Sequence, residues 1–253
     1  FDIDIKYESD SSQRIYDDND IKKTVEIYNK YINKYLNIND VENECFITEK
    51  KSPNCSSGNL YKDGFHGIFP NICVSNEVQY LIRLDVIQDF KENDYFKNLN
   101  YKNKYEDIFD EAIIEKNGWL MYGCSKPKRD PYLLTYIIDK NLNFLNLTSF
   151  KKNNNLEDLI NIFSIRRFSK EDLTKYNNDY NTDLIEEKIK NLNIKKNNNI
   201  KIRKKSREYS EEEIEYAQKL VKLLSEERAD SYQSWIEVGW ALFNIDDLLL
   251  DEF

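Results

Sequence analysis

The sequence predicts an α+β fold with a mostly antiparallel sheet, followed by a small helical element. Three observations carry this. Between residues 1 and 165, the short runs FDIDIKY, ECFITEK, GFHGIFPNI, GWLMYGC and YLLTYIID have the alternation or the apolar brevity of strands. Two longer stretches among them carry apolar residues at helical spacing instead. From Ser210 onward the pattern is helical throughout.

In FDIDIKY, acids alternate with apolar residues, so a strand projects Asp2 and Asp4 from one face, about 7 Å apart along the chain. The first helix is DIKKTVEIYNKYINKYL, with Ile21, Val25, Tyr28, Ile32 and Leu36 on one side after an acidic start. The second follows Ser75 as N-cap and aligns Val78, Ile82, Val86 and Phe90. Residues 166–208 are rich in Asn and Lys with few apolar anchors and read as a linker or extension. In SEEEIEYAQKLVKLLSEE, Ser210 and Glu213 form a capping box, and Ile214, Leu220, Val221 and Leu224 supply an apolar stripe. A further helix carries Trp235 and Trp240. The predicted organisation is therefore an α+β domain over 1–165, a linker or extension over 166–208 and a helical element over 209–253.

Composition narrows the function classes. No stretch approaches the roughly 20 apolar residues of a membrane span, and no basic-then-apolar leader opens the chain, which predicts an intracellular protein. Cys45, Cys55, Cys73 and Cys124 lack CxxC spacing and, with one histidine in the chain, make a poor zinc set; free thiols in a reducing compartment are expected. There is no GxxxxGK[ST] phosphate loop. A strand-nicking initiator with paired metal-binding histidines is excluded by the single His66. The first residue, Phe1, already lies in a strand pattern, which predicts a piece of something longer.

The net charge of −9 hides an asymmetry. Residues 208–253 hold thirteen acids and three bases, and the other 207 residues hold 33 acids and 34 bases. Just before the acidic end, KKNNNIKIRKKSR, 195–207, has seven Lys or Arg in thirteen positions, either a solvated linker or a strip that contacts phosphates.

Four segments carry the chemistry. Two carboxylates on one face of an otherwise apolar strand repel and resist desolvation unless a cation sits between them, which is how a Mg²⁺ site is built. Alone, an Asp-x-Asp is equally a solvated strand face. Asp110 follows the apolar pair Ile108 and Phe109, whereas Asp107 and Glu111 read as solvent-side neighbours. His66 in DGFHGIFP reads alone as either structural or functional. Lys126, in YGCSKPKRDP, lies in the loop of an expected hairpin, where Lys and Pro also occur without function.

Taken in order, the hDhD strand (Asp2, Asp4), a small residue-x-His (Gly64, Phe65, His66), an apolar residue-Asp (Phe109, Asp110) and GWLMYGCSK resemble the three-motif signature of archaeo-eukaryotic primases. The phrases KDGFHGIFPNI and NGWLMYGCSKP are most similar to the primase half of the poxvirus-type primase-helicases of nucleocytoplasmic large DNA viruses. The resemblance covers residue 2 to about 138, and SYQSWIEVGWALFNI resembles part of the helical primase C-terminal domain.

The resemblance implies an archaeo-eukaryotic primase fold with an RRM-like sheet. It also implies a nucleotidyltransferase that makes primers on single-stranded DNA from nucleoside triphosphates during viral DNA replication. Asp2, Asp4 and Asp110 would be the catalytic carboxylates, holding two Mg²⁺ or Mn²⁺ ions. His66 and Lys126 would bind the nucleotide's phosphates, with Gly64 allowing close backbone approach. Many relatives have serine at the Gly64 position, and the family has a segment upstream of the first acidic strand, so a missing N-terminal part is expected. A helicase domain or subunit is the expected partner, absent from this chain, and the setting implied is a replication factory in the host cytoplasm or the nucleus. The alternative function is a non-catalytic single-stranded DNA-binding scaffold with a vestigial primase fold.

Overall fold

The computed structural model describes residues 1–38, 43–115, 118–127, 129–164, 173–177, 185–190, 209–225, 232–245 and 249. They form two compact units, Phe1–Leu192 and Asn193–Phe253.

The first unit is an α+β fold around a five-stranded antiparallel sheet, as the sequence predicts. Strands β1 (Asp2–Glu8), β2 (Cys45–Glu49), β3 (Asn54–Ser57), β4 (Leu60–Ile68) and β5 (Leu133–Ile138) are arranged β1-β4-β2-β5, and β3 pairs with the N-terminal half of β4. In β1, Ile3, Ile5 and Tyr7 are fully buried on one side of the sheet, so Asp2 and Asp4 share the other. The register sets Asp2 opposite His66, Asp4 opposite Gly64 and Lys6 opposite Lys62.

Helices α1 (Asp18–Tyr35) and α2 (Asn76–Asn93) cover the Ile3 side. Asp17 caps α1 by accepting from the Asn19 and Asp20 amides, and Ser75 caps α2 by accepting from Val78. All nine apolar positions expected on the two helical stripes are buried in one core with Ile3, Ile5, Cys45, Ile47 and Phe65. On the opposite side, Phe46, Leu134 and Ile137 are covered by Leu159 and Phe163, which α6 (Leu156–Ile162) brings in after α5 (Leu147–Asn153). This second layer packs against β2 and β5, and the carboxylates of β1 lie outside it.

One strand expectation is corrected. GWLMYGC forms no strand: Tyr122 and Gly123 make a turn, with Gly123 at φ +81° and the Cys124 amide donating to the Met121 carbonyl. Its apolar residues are spent singly, Tyr122 stacking on Phe163 at 4.7 Å while Leu120 and Met121 stay exposed. Lys126 therefore follows a turn rather than closing a hairpin. The hairpin in this unit is β3–β4, through Gly58 at φ +56°.

Of residues 166–208, the described parts attach to the first unit: Asn37 donates to the Lys175 carbonyl, and Ile185 is fully buried in the main core. The basic 195–207 run lies outside the described residues. In the second unit, helix Glu211–Val221 starts at the predicted Ser210–Glu213 capping box, and helix Tyr232–Ile245 carries Trp235 and Trp240. Their shared core is Ala217, Leu242 and Leu249. No helix among the described residues is long and apolar enough to cross a membrane.

Candidate active site

Period-two alternation puts Asp2 and Asp4 on the uncovered side of β1, and the free edge of that strand recruits Asp110. An isolated bridge pairs Ile3 with Phe109, and the Asp110 amide donates to the Asp2 carbonyl at 3.0 Å. Next to it, the Asn103 side-chain amide donates to the Asp4 carbonyl at 2.7 Å. Two segments about a hundred residues apart in sequence thus meet along one strand edge. Each of the three carboxylates offers an oxygen, and these oxygens lie within 4.8 Å of one another.

Such a cluster is electrostatically unfinished. Asp2 is 9% exposed, and its Oδ1 is buried with no hydrogen-bond donor among the described residues. His66 Nε2 stands 3.3 Å from that oxygen, outside hydrogen-bonding geometry. Burial, with the Asp4 and Asp110 charges, pushes the Asp2 carboxyl up to about 7. Asp4 is partnered by Lys62 Nζ at 2.6 Å, and Asp110 Oδ1 accepts from the Ala112 amide at 2.9 Å. Three clustered carboxylates, one with an unspent buried oxygen, are a donor set that fits a hard divalent cation.

The wall of the site is aromatic and basic. Tyr132 stacks on His66 at 3.7 Å between ring centroids, and Trp119 tilts against the same imidazole at 4.6 Å. Lys50 Nζ lies 4.6 Å over the Tyr132 ring. Burial, aided by the Lys50 and Lys62 charges, lowers His66 to about 3, so the imidazole is neutral and keeps one N–H to donate. Burial lowers Lys50 as well, and burial with the Asp2 and Asp4 charges raises the Tyr132 phenol. At Gly64 an added Cβ would fall 1.7 Å from the Ile3 carbonyl oxygen, so the close backbone approach at this glycine is that of β1 itself.

The family described as C962R protein N-terminal AEP domain, AEP standing for archaeo-eukaryotic primase, matches residues 1–138. The chain belongs to this primase family.

Its relatives are viral. The Acanthamoeba polyphaga mimivirus protein named "Putative helicase L207/L206" is 32% identical over 273 residues, covering 100% of this chain and 28% of that protein. "Putative helicase 184R" of Invertebrate iridescent virus 6 is 26% identical, covering 96% of this chain and 28% of its own length. "Putative helicase 121R" of Invertebrate iridescent virus 3 is 26% identical over 94% of this chain and 27% of its own length. The chain thus spans under a third of each of these relatives.

Within the primase domain the structure brings together Asp2, Asp4, Asp110, His66 and Gly64. Lys126 is exposed, and its ammonium makes no ion pair with a described residue. Sequence reasoning passed over Lys62, Lys50, Tyr132 and Trp119. For Lys62 a signal was present: it lies four residues before His66 on a strand, hence on the same face. Lys50, Tyr132 and Trp119 have no such local signal, because they reach the site from a strand end and from irregular segments.

Proposed function

We propose that this chain catalyses template-directed nucleotidyl transfer, making primers on single-stranded DNA as the primase part of a viral primase-helicase. The observation that carries the reading is the convergence of Asp2, Asp4 and Asp110 around an unspent buried oxygen, facing a neutral His66. Asp2, Asp4 and Asp110 are the residues that would hold Mg²⁺ or Mn²⁺. Divalent ions held there would supply Lewis-acid activation of a primer 3′-hydroxyl and charge neutralisation at the departing pyrophosphate.

The other residues act on the nucleotide. His66, clamped by Tyr132, donates its N–H to a triphosphate oxygen without bringing a proton that the nearby carboxylates would claim. Lys62 stands at the edge of the triad to share its charge between Asp4 and an incoming phosphate, and Lys126 supplies a further cation from its exposed segment. Gly64 lets β1 and β4 close so tightly that Asp4 and His66 face one space. The basic 195–207 run would follow the template's phosphates.

The test is primer synthesis on a single-stranded template, supplied with ribonucleotides or deoxyribonucleotides and Mg²⁺ or Mn²⁺. Asp110→Ala is expected to lower product formation by about 10³-fold, the scale of losing one preorganised electrostatic partner of the reacting groups. Equal product from both proteins would overturn the reading. Mn²⁺ and nucleotide binding lost together in Asp2→Ala and Asp4→Ala separates it from a DNA-binding scaffold, which would bind DNA with no affinity for nucleotide.

A further inference from the structure

Asp110 is the one carboxylate of the triad with no regular strand beneath it. It follows α3 (Tyr105–Ile108), a single turn of helix, and precedes α4 (Ala112–Glu115), another single turn. Isolated turns of this length are unstable, since nucleation fixes several residues for very few hydrogen bonds. The carbonyls at the end of such a turn also need partners from elsewhere.

Those partners come from α2. Arg83, near the middle of that helix, has a side chain only 8% exposed. Its Nε donates to the Phe109 carbonyl at 2.7 Å and its Nη2 to the Glu106 carbonyl at 2.8 Å. Nη1 lies 3.6 Å from Glu111 Oε2. One rigid planar fork therefore holds the carbonyl of the residue that bridges to Ile3 together with the carbonyl three residues before it. The sequence of contacts is short: Arg83 holds Phe109, Phe109 pairs with Ile3, and the next amide, that of Asp110, donates to Asp2. A buried arginine spending its donors on main-chain carbonyls this close to a carboxylate triad is more than a helix-surface cation. A charge with a nearby carboxylate as its sole purpose would need no fork.

We infer that Arg83 is the positioning residue of the third carboxylate, setting the placement of Asp110 against Asp2 and Asp4 and hence the affinity of the triad for a divalent cation. This rests on the metal-holding reading of the triad. Lysine cannot replace the guanidinium, because a single ammonium on a flexible stem does not span two carbonyls in fixed geometry.

The test titrates the full 253-residue chain with Mn²⁺, following the loss of the free-ion electron paramagnetic resonance signal. Wild type, Arg83→Lys, Asp110→Asn and the double variant are compared, with circular dichroism to check the fold. Arg83→Lys is expected to weaken Mn²⁺ binding about tenfold, the usual scale for an outer partner of a metal ligand. In the Asp110→Asn background the same substitution should change affinity less than about twofold, because its effect runs through Asp110.

Wild-type affinity in Arg83→Lys, with Asp110→Asn weakened, would overturn the inference and leave the triad reading standing. An undiminished tenfold loss on top of Asp110→Asn would overturn it too. No Mn²⁺ binding by the wild type would overturn the triad reading, and this inference with it. Should Arg83→Lys fail to fold, Arg83→Gln, which keeps a planar donor, is measured in the same way; unfolding of both would mark Arg83 as a fold determinant and overturn the positioning role.

Discussion

On the core face of β2 and β4, Glu49 and Asp63 are each 4% exposed, and on the opposite face Asp2 is 9% exposed beside Asp4 and Asp110. The two carboxylate clusters lie on opposite sides of one sheet and are completed differently. Arg14 pairs with Glu49 through Nη1 and with Asp63 through Nε at 2.8 Å, and it donates to the Lys50 carbonyl as well. Tyr16 adds a hydroxyl to Glu49 at 2.9 Å. That cluster is closed. The Asp2 cluster has Lys62 at one corner, a poorly aimed imidazole at another and an oxygen with no donor. Burial of charge is common to both, so burial is not what marks a site. What marks it is buried acceptor capacity left unspent by the protein.

The largest effect should come from breaking the closed cluster. Arg14→Met leaves Glu49 and Asp63 buried and facing each other without a cation, and removing one partner of a buried ion pair costs about 3–5 kcal/mol. Urea unfolding should read a loss in that range, while the Mn²⁺ affinity of the other face changes by less than about twofold, since the two clusters share no side-chain ion pair. A marginal stability loss would show that the two clusters are not the closed and open pair described above.

The open cluster should respond in the opposite direction. The Asp2 carboxyl is ordinarily near 3.8 and stands at about 7 in the fold, raised first by burial. A raised folded-state pKa means that the native state holds the proton more tightly. Asp2 therefore contributes stability that is complete below about pH 4 and lost as pH rises through 7. Asp2→Asn keeps the shape and stays neutral. In metal-free buffer the variant should match the wild type near pH 4 and exceed it at pH 8 by up to about 4 kcal/mol. Adding Mn²⁺ at pH 8 should stabilise the wild type and leave the variant unmoved, because only the former binds the ion. Thermal melts at both pH values, with chelator and with Mn²⁺, measure this; a variant less stable than the wild type at pH 8 without metal would remove the unfinished-cluster argument.

How far these features were legible follows from the range of the interactions that build them. Strand alternation is local, so Asp2 and Asp4 could be placed on one face from FDIDIKY alone, and the helical stripes of α1 and α2 were readable for the same reason. Asp110 stood out locally only as the acid after the apolar pair Ile108 and Phe109, and its place beside Asp2 and Asp4 came through the family resemblance, since that place depends on an edge bridge to Ile3, across more than a hundred residues. Arg14 and Arg83 left no trace, because a buried arginine looks like any surface one until its carbonyl and carboxylate partners arrive from distant segments. GWLMYGC misled because its apolar residues mimic a strand. Gly123 lets it fold as a turn whose side chains dock one by one, Tyr122 on Phe163 and Trp119 beside His66.

The smallest expected effect falls where neither cluster reaches. Lys126 is exposed, and no described carboxylate holds its ammonium, in contrast to Lys62, which Asp4 fixes at 2.6 Å. A cation on an untethered long side chain gives up rotamer freedom to grip a phosphate, so its contribution is that of an exposed charge contact, about 0.2–1 kcal/mol. Lys126→Ala should therefore raise the KM for nucleotide about two- to fivefold with kcat little changed, the signature of binding shared equally by ground and transition states. Lys62→Ala, stripping Asp4 of its ion pair at the carboxylate triad, should lower kcat as well. Steady-state primer extension over a range of nucleotide concentrations distinguishes the two, and a Lys126→Ala variant whose kcat collapses would place that lysine inside the reacting cluster, drawn there by the nucleotide itself.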